Sequence, residues 1–448
     1  MPRKAPPSPP AAHRPPAVVA LLAALVAMTV SSARAAAEPP LPASPPATSA
    51  GAGVATGVAV TLRDVLDGAA TNADARIARL GVDAAEADIA TADHAPLPVL
   101  TAKASQMDLQ HGVGPGSWLN DKRVDKSLGV DWTWERGGKR ELRTAAAQAA
   151  AGAAREDWRT VRRDQRLQAA AAFHDLLLAQ SRVEDLTELA ASAESLAGLM
   201  RQRVHAGDAA PQDLSRTEIE ARKAGNDVVT AQADRDGASL ALARLLGRPG
   251  VRFIAQATDA DTFPDAFPDA AGLNAAIDAS PTVAAAQARE TAALSAYDLA
   301  RASRKSDVTV GMSLDHYPGT STRLLELRLQ MPLQIGYAQQ GEIGRARAQL
   351  DQAREQALQA RAESEADLRQ RWTALSASRT LLDAHEQDLL PRARALLAQA
   401  ELAYRKGAST LTDLIEARRT LRGALMEALA ARHDHDVALA QWRLLTGP

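Results

Sequence analysis

The chain carries one stretch of sequence twice. Asn72 to Ala102 (NADARIARLGVDAAEADIATADHAPLPVLTA) and Ser280 to Val310 (SPTVAAAQARETAALSAYDLARASRKSDVTV) align at a constant offset of 208 residues, an alanine-rich helical pattern running into an extended one. Farther on, Gly207, Asp213 and Leu214 fall on Gly407, Asp413 and Leu414, and Arg244, Leu245 and Leu246 on Arg443, Leu444 and Leu445. Such a duplication restricts the fold to two copies of one unit, because each copy must bury the same apolar pattern in the same way. The copies are predicted at residues 61–248 and 274–448. A linker at 249–273 carrying Pro249, Pro264 and Pro268 separates them.

Periodicity gives both copies the same order of elements. In the first, Leu62 to Ala92 reads as one helix, about Leu97 to Leu109 as extended, and Gly112, Gly114, Pro115 and Gly116 as a loop. Leu128, Val130, Trp132 and Trp134 then alternate with Gly129, Asp131, Thr133 and Glu135 as a strand. From Arg140 to Val204 there is no proline, and Leu186, Leu189, Leu196, Leu199 and Met200 keep a helical seam. About 65 residues at 1.5 Å each make a rod of roughly 100 Å. Gly207 to Pro211 breaks it, and a helix from about Asp213 to Leu246 returns alongside, forming an antiparallel coiled-coil hairpin. In the second copy, Val308, Val310, Met312 and Leu314 alternate with polar partners and Pro318-Gly319 turns the chain. Leu325, Leu327, Leu329, Met331 and Leu333 then continue the alternation.

Composition narrows the class. Apolar residues reach 46% but aromatics only 3%, so the helices must pack closely through alanine. The net charge of -2 excludes a broad basic face for nucleic acid. With no cysteine, thiolate metal sites, a cysteine nucleophile and a lipid anchor on cysteine are all excluded. Arg3, Lys4 and Arg14 precede the apolar run Ala17 to Val30 and the small-residue pattern Ala33-Arg34-Ala35, so residues 1–35 read as a secretory signal. The mature N-terminus is expected near Ala36 to Glu38. Residues 36–60, rich in Pro, Ala, Gly and Thr, read as a disordered leader.

No other run approaches the 18 or so apolar residues that a membrane helix needs. A chain of this kind enters a membrane only as strands. Its strands have one apolar and one polar face, and no helix offers a stripe wide enough to cover the apolar one. In a transmembrane barrel that face meets lipid and the polar face meets water. Five of the ten Trp and Tyr residues (Trp118, Trp132, Trp134, Tyr317 and Tyr337) lie in or beside the strands, as an interfacial aromatic girdle requires. Four strands cannot close on themselves, so their edges must be paired by other copies of the chain.

The order signal, helix, hairpin, coiled-coil pair, then the same again, resembles the TolC family of outer-membrane efflux proteins over nearly all of residues 60–448. The residues that carry the likeness are the strand-to-helix joins Glu135-Arg136-Gly137-Gly138-Lys139-Arg140 and Met331-Pro332-Leu333, the run Gln340-Gly341-Glu342-Ile343, and the hairpin tips around Gly207/Asp213 and Gly407/Asp413. The joins are most similar to the CzcC-type branch, which serves heavy-metal cation efflux. The resemblance implies a mainly α fold with a small transmembrane β portion: duplicated long coiled-coil helical hairpins plus four β-strands per chain, assembled as a trimeric α-barrel/β-barrel channel. It implies an outer-membrane location with the helical tunnel in the periplasm. It also implies a periplasmic adaptor (a membrane fusion protein) and an inner-membrane RND-type transporter as partners, beside the homotrimer and outer-membrane lipid. No cofactor and no nucleic-acid partner are expected. One departure is that Thr133 and Trp134 stand where the second copy has Pro332.

Within that resemblance Asp413 and Glu416, from the motif Asp413-Leu414-Ile415-Glu416, are the carboxylates expected to narrow the periplasmic entrance. Glu416 stands where the family more often has Asp, and Asp413 is also placed to cap its helix. The first copy has Arg216 at the matching position. Small residues at the tips (Gly207, Ala209, Ala210 beside Asp213; Gly407, Ala408, Ser409) suit close approach of an adaptor hairpin, and equally suit a tight turn. No Walker loop, HExxH, GxSxG or strand-borne GxGxxG is present, so no catalytic constellation emerges and the chain does not read as an enzyme. His433-Asp434-His435-Asp436 invites a metal reading, but on a helix i and i+2 point to different faces. His174 reads as a packing histidine, and Arg159, Arg162, Arg163 and Arg166, interspersed with Asp157 and Asp164, as a solvated, ion-paired face. The expected function is a passive exit duct for heavy-metal cations. The alternatives are a multidrug or type I protein-secretion duct and, more remotely, a periplasmic coiled-coil adaptor.

Overall fold

The computed structural model describes residues 57–105, 110, 124–257, 266–317 and 321–447. The elements in chain order are β1 (Val58–Val60), α1 (Leu62–Ala69), α2 (Ala73–Ala92), β2 (Val99–Ser105), β3 (Asp125–Trp134), α3 (Lys139–His205), α4 (Pro211–Leu245) and β4 (Phe253–Ala255). The second copy continues with α5 (Ala270–Asp278), α6 (Pro281–Ala302), β5 (Val308–Tyr317), β6 (Ser321–Gln330), α7 (Gln340–Ala384), a π turn (His385–Leu389), α8 (Leu390–Arg405) and α9 (Leu411–Thr446). Expectations on Gly112, Gly114, Gly116, Trp118, Pro318 and Gly319 fall outside the described residues, as do those on residues 1–56.

The elements form a strip four wide at every level. The strands pair in the order β2-β3-β5-β6, antiparallel throughout. Beside the sheet, α2 packs on α3, α3 on α6 and α6 on α7; toward the tips the order is α4, α3, α9 and then α7 with α8. The 67 residues of α3 run through both helical levels. Alanine makes this packing possible, since Ala151, Ala153, Ala169, Ala170, Ala172 and Ala197 are all buried along α3 and let neighbouring helices come close. The expected seam is present at Leu186, Leu196 and Met200, whereas Leu199 is 47% exposed.

Two expectations need correction, and one feature of the second copy stands beside them. Leu62 to Ala92 is two helices, because Asn72 accepts a hydrogen bond from the Ala75 amide (3.0 Å) and starts α2 afresh. Its amide also donates to Gln165 of α3 (2.5 Å) and to the Leu245 carbonyl at the end of α4 (3.4 Å), so α4 and α2 meet end to end. The break thus matches the one at Ser280-Pro281 in the second copy. Next, the leader and the linker are not structureless throughout: Val58–Val60 pairs in parallel with Phe253–Ala255. Gln180 of α3 hydrogen-bonds both the N–H and the C=O of Ala255 (2.8 and 2.9 Å), and Ser239 of α4 accepts from the Phe253 N–H (2.8 Å). Val60, Val65, Phe173, Leu176, Leu242 and Phe253 fill the core beneath. Finally, the second descending rod is interrupted at the π turn, where the Leu390 N–H bonds the His385 carbonyl just ahead of Pro391. Proline has no N–H to give to the ladder, and the wider turn absorbs the defect.

Candidate functional site: the amphipathic sheet and the helical tips

The four-stranded sheet is inside out by the standards of a water-soluble protein. Register puts Leu100, Val130, Met312 and Leu327 in one row and Leu128, Leu314 and Leu325 in the next, on the same face. That face is bare: Leu314 is 66% exposed, Leu327 73% and Leu329 74%, while Ser313 and Asp315 on the other face are buried at 7% and 5%. The polar face is cross-linked by hydrogen bonds. Arg328 of β6 reaches over Gly311 of β5 to Asp131 of β3 (2.6 Å), and Thr101 of β2 donates to the same carboxylate (2.9 Å). A Cβ on Gly311 would lie 2.2 Å from the Asp131 oxygen, so only glycine lets the bridge pass. Thr133 and Thr309 pair alongside (2.9 Å).

Trp132 and Trp134 stand on the apolar face at the helix-proximal end, 65% and 72% exposed. Tyr337 follows β6 at that same end, whereas Tyr317 lies at the opposite end of β5, across from Ser321. Exposed Met331, Leu333 and Ile335 lie between β6 and Tyr337, outside the strand in which the sequence placed Met331 and Leu333. The sheet is locked to the helices by charge: Lys139 Nζ meets Asp307 (2.8 Å), which also accepts from the Arg136 amide (3.0 Å), and Arg143 clasps Glu135.

At the other end the two tips pack side by side. Gly207 (φ +85°) and Gly407 (φ +74°) end α3 and α8 with the same pair of backbone bonds, from Asp208 N–H to the Arg203 carbonyl and from Ala408 N–H to the Ala403 carbonyl (both 2.8 Å). This is the left-handed cap that glycine adopts without strain. Leu196, Met200, Leu411 and Leu414 form the core between the tips, with Ala209 against it, so Ala209 is a packing residue as well as an apical one. Arg203 lies over the Tyr404 ring (5.9 Å). Asp213, in the first turn of α4, gives its N–H to the Ala210 carbonyl (3.0 Å). Ser409 Oγ is buried without a hydrogen-bond partner.

Asp413 sits in a capping box. It accepts from the Thr410 N–H (2.9 Å) and hydroxyl (2.8 Å), while its own N–H donates to Thr410 Oγ1 (3.2 Å). Those bonds hold its carboxyl below the ordinary value of 3.8. Glu416, one turn on, is 71% exposed with Arg419 at 4.0 Å, and Arg419 also pairs with Glu220 of α4. Arg216 reaches across to Thr412 (3.4 Å), bringing a cation beside the second tip. Sequence reasoning missed Arg419, whose spacing of three from Glu416 was readable.

The histidines separate as their spacing requires. His433 is flanked by Asp175 of α3 (2.8 Å) and by Asp434 (3.0 Å), whereas His435 is buried beside Ser378 of α7 (3.5 Å). His174 packs edge-on against Phe173 (5.4 Å). Among the described residues, no three His, Cys, Asp or Glu side chains converge on a metal-sized site.

Comparison with known proteins agrees with this geometry. Residues 68–248 and 272–448 match the family described as outer membrane efflux protein. The chain is 28% identical over 287 residues to the cobalt-zinc-cadmium resistance protein CzcC of Cupriavidus metallidurans, covering 64% of this chain and 68% of that protein. It is 26% identical over 384 residues to the protein CyaE of Bordetella pertussis, covering 82% and 77%. Among solved structures, the CmeC outer membrane channel of Campylobacter jejuni superposes with a TM-score of 0.71 at 14% identity, over 86% of this chain and 85% of that one.

Proposed function

Because this chain belongs to the outer membrane efflux protein family, we propose that it is the passive exit duct of a tripartite pump, closed by three copies of itself and carrying heavy-metal cations outward. The protein sits in the outer membrane with its helical tunnel in the periplasm. The observation that carries the duct reading is the inside-out sheet with two open edges: its apolar face calls for lipid and its margins call for further strands. The helical levels also end in margins, at α2 and α7 beside the sheet and at α4 and α8 below. Three copies of a strip four wide give twelve strands and twelve helices per level, enclosing the polar face as a watery lumen. Trp132, Trp134 and Tyr337 form the girdle at one membrane interface and Tyr317 belongs to the other.

In this reading an inner-membrane RND-type transporter delivers cargo through a periplasmic adaptor that docks at the tips formed by Gly207, Ala209, Asp213, Gly407 and Ser409. Asp413 and Glu416, repeated about the threefold axis, line the entrance; the axis gathers like charges, which attract cations and resist close approach. The similarity to CzcC supports cations as the cargo. The test is deletion of the gene followed by growth on cobalt, zinc and cadmium and on a panel of antibiotics. Lost metal resistance that returns on complementation is the expected result. Sensitivity to antibiotics alone reassigns the cargo to drugs, and no change on either panel overturns efflux.

A further inference from the structure

Arg159, Arg162, Arg163 and Arg166 are only in part the ion-paired, solvated face that their sequence context suggests: Arg159 and Arg163 have acidic partners, whereas among the described residues Arg162 and Arg166 form no ion pair. Asp157 is taken by Arg289 (2.5 Å), and Asp164 stands 3.6 Å from Arg163. Arg159 pairs with Glu156 (2.7 Å). Arg162 lies over the Trp158 ring at 4.8 Å, and among the described residues Arg166 makes no ion pair or hydrogen bond. The Nε atoms of Arg162, Arg163 and Arg166 are closed off from solvent without an acceptor.

The four side chains line a cavity of about 530 Å³ at the joint where α9 ends and α6 begins against α3. Across it stand Ser280 and Thr282 at the start of α6, and Arg163 donates to both hydroxyls (3.4 and 3.2 Å). Ser280 does not cap its helix through its side chain, and the first turn of α6 holds no acid. Two carboxylates also line the cavity, but both are engaged along α7: Glu363 by Gln359 (2.7 Å) and Asp367 by Arg371 (2.9 Å). Arg159 with Arg163 and Arg162 with Arg166 are like charges four residues apart, an arrangement that destabilises a helix unless something lies between them. Guanidinium groups whose Nε–H is shut away from water without an acceptor are matched by an oxyanion, which accepts paired N–H bonds.

We propose that this cavity is an oxyanion site that takes a phosphate group, free or carried on a larger molecule, on Arg162, Arg163 and Arg166 with the opening turn of α6 as the facing wall. The cavity exceeds a bare phosphate and falls in the size range of ordinary ligand pockets, so the group can bring its own substituent. A bound anion ties α3 of the first copy to α6 of the second.

The test uses the full-length, detergent-solubilised protein and inorganic phosphate in a calorimetric titration at fixed ionic strength. Wild type binds saturably, Arg162→Gln with Arg166→Gln weakens binding by roughly tenfold or more, and Arg166→Lys retains only part of it, because the charge remains but the paired N–H donors are lost. Should the double variant fail to assemble, Arg166→Gln alone shows the same loss in smaller measure. One phosphorus per chain that survives purification and disappears in Arg166→Gln supports the site equally. Its extraction into organic solvent assigns a lipid headgroup, and its recovery in the aqueous phase a soluble phosphate. No saturable binding together with no retained phosphorus, or binding unaltered in Arg166→Gln, overturns the proposal. Neither result depends on which cargo the duct carries.

Discussion

At Asp413 one carboxylate serves a helix cap and, in the proposed trimer, a ring of charge. Its lowered pKa means that the cap stabilises fully above the ordinary value of 3.8 and is lost as pH falls through the folded-state value below it. Asp413→Asn keeps an acceptor for the Thr410 N–H while removing the charge. We predict that Asp413→Asn with Glu416→Gln folds normally and weakens block by divalent or trivalent cations in planar-bilayer recordings. Thr410→Ala should do the reverse, lowering the unfolding midpoint and leaving the block intact. His433 gives a second prediction. Both its ring nitrogens face carboxylates, so only the imidazolium satisfies both, and the hydrogen bond it donates to Asp175 foremost raises its pKa above 6.5. A raised folded-state pKa contributes stability that is complete below 6.5 and lost as pH rises through the folded value. Its neighbours act otherwise: burial lowers the pKa of His435 and raises that of Asp436. Thermal melts of Asp175→Asn minus wild type should therefore show a deficit at pH 6 that closes by alkaline pH. A deficit constant across that window would rule the pairing out as the cause. That His433 and His435 point to different faces was legible from helix geometry alone, whereas the partner Asp175 lies 258 residues away and no local pattern announces it.

Among the elements, the strands were the most legible, since alternation of period two extends across β3, β5 and β6 and fixes which face is apolar. The helix break at Asn72 was not, because Thr71-Asn72 lacks the proline that marks its twin at Ser280-Pro281. Strands β1 and β4 escaped notice for a different reason: three residues are too short for a period, and their pairing is set by Gln180 and Ser239 from remote helices. The pair Glu416–Arg419 was readable from its spacing of three, but the cross-helix partners at the tips, Arg419 with Glu220 and Arg216 with Thr412, became visible only once α4 and α9 lay side by side. Two substitutions probe the sheet. Gly311→Val should displace the Asp131–Arg328 bridge and reduce the heat-modifiable, assembled form on gels. Leu329→Arg puts a charge on the apolar face and should cost about 2 to 4 kcal/mol per chain near the bilayer midplane, measured as a lower denaturant midpoint of the refolded protein in lipid vesicles. A surface leucine on a soluble sheet would tolerate that change.

For the whole molecule, edge pairing and the threefold closure predict a single oligomeric species in detergent with three times the chain mass, by light scattering. Monomers or dimers would refute the closure. The two copies, alike in order, are unlike in build: α3 is one uninterrupted helix from the sheet to the tip, while its counterpart yields at the π turn before Pro391. In mechanical language the first copy is a strut and the second a jointed arm. A load applied at the tips is borne by the first and flexes the second, so the compliant segment is α8, which the tip turn joins to the helix that bears Asp413 and Glu416. Amide hydrogen exchange should register this asymmetry as faster exchange at residues 385–390 than at residues 185–190 of α3.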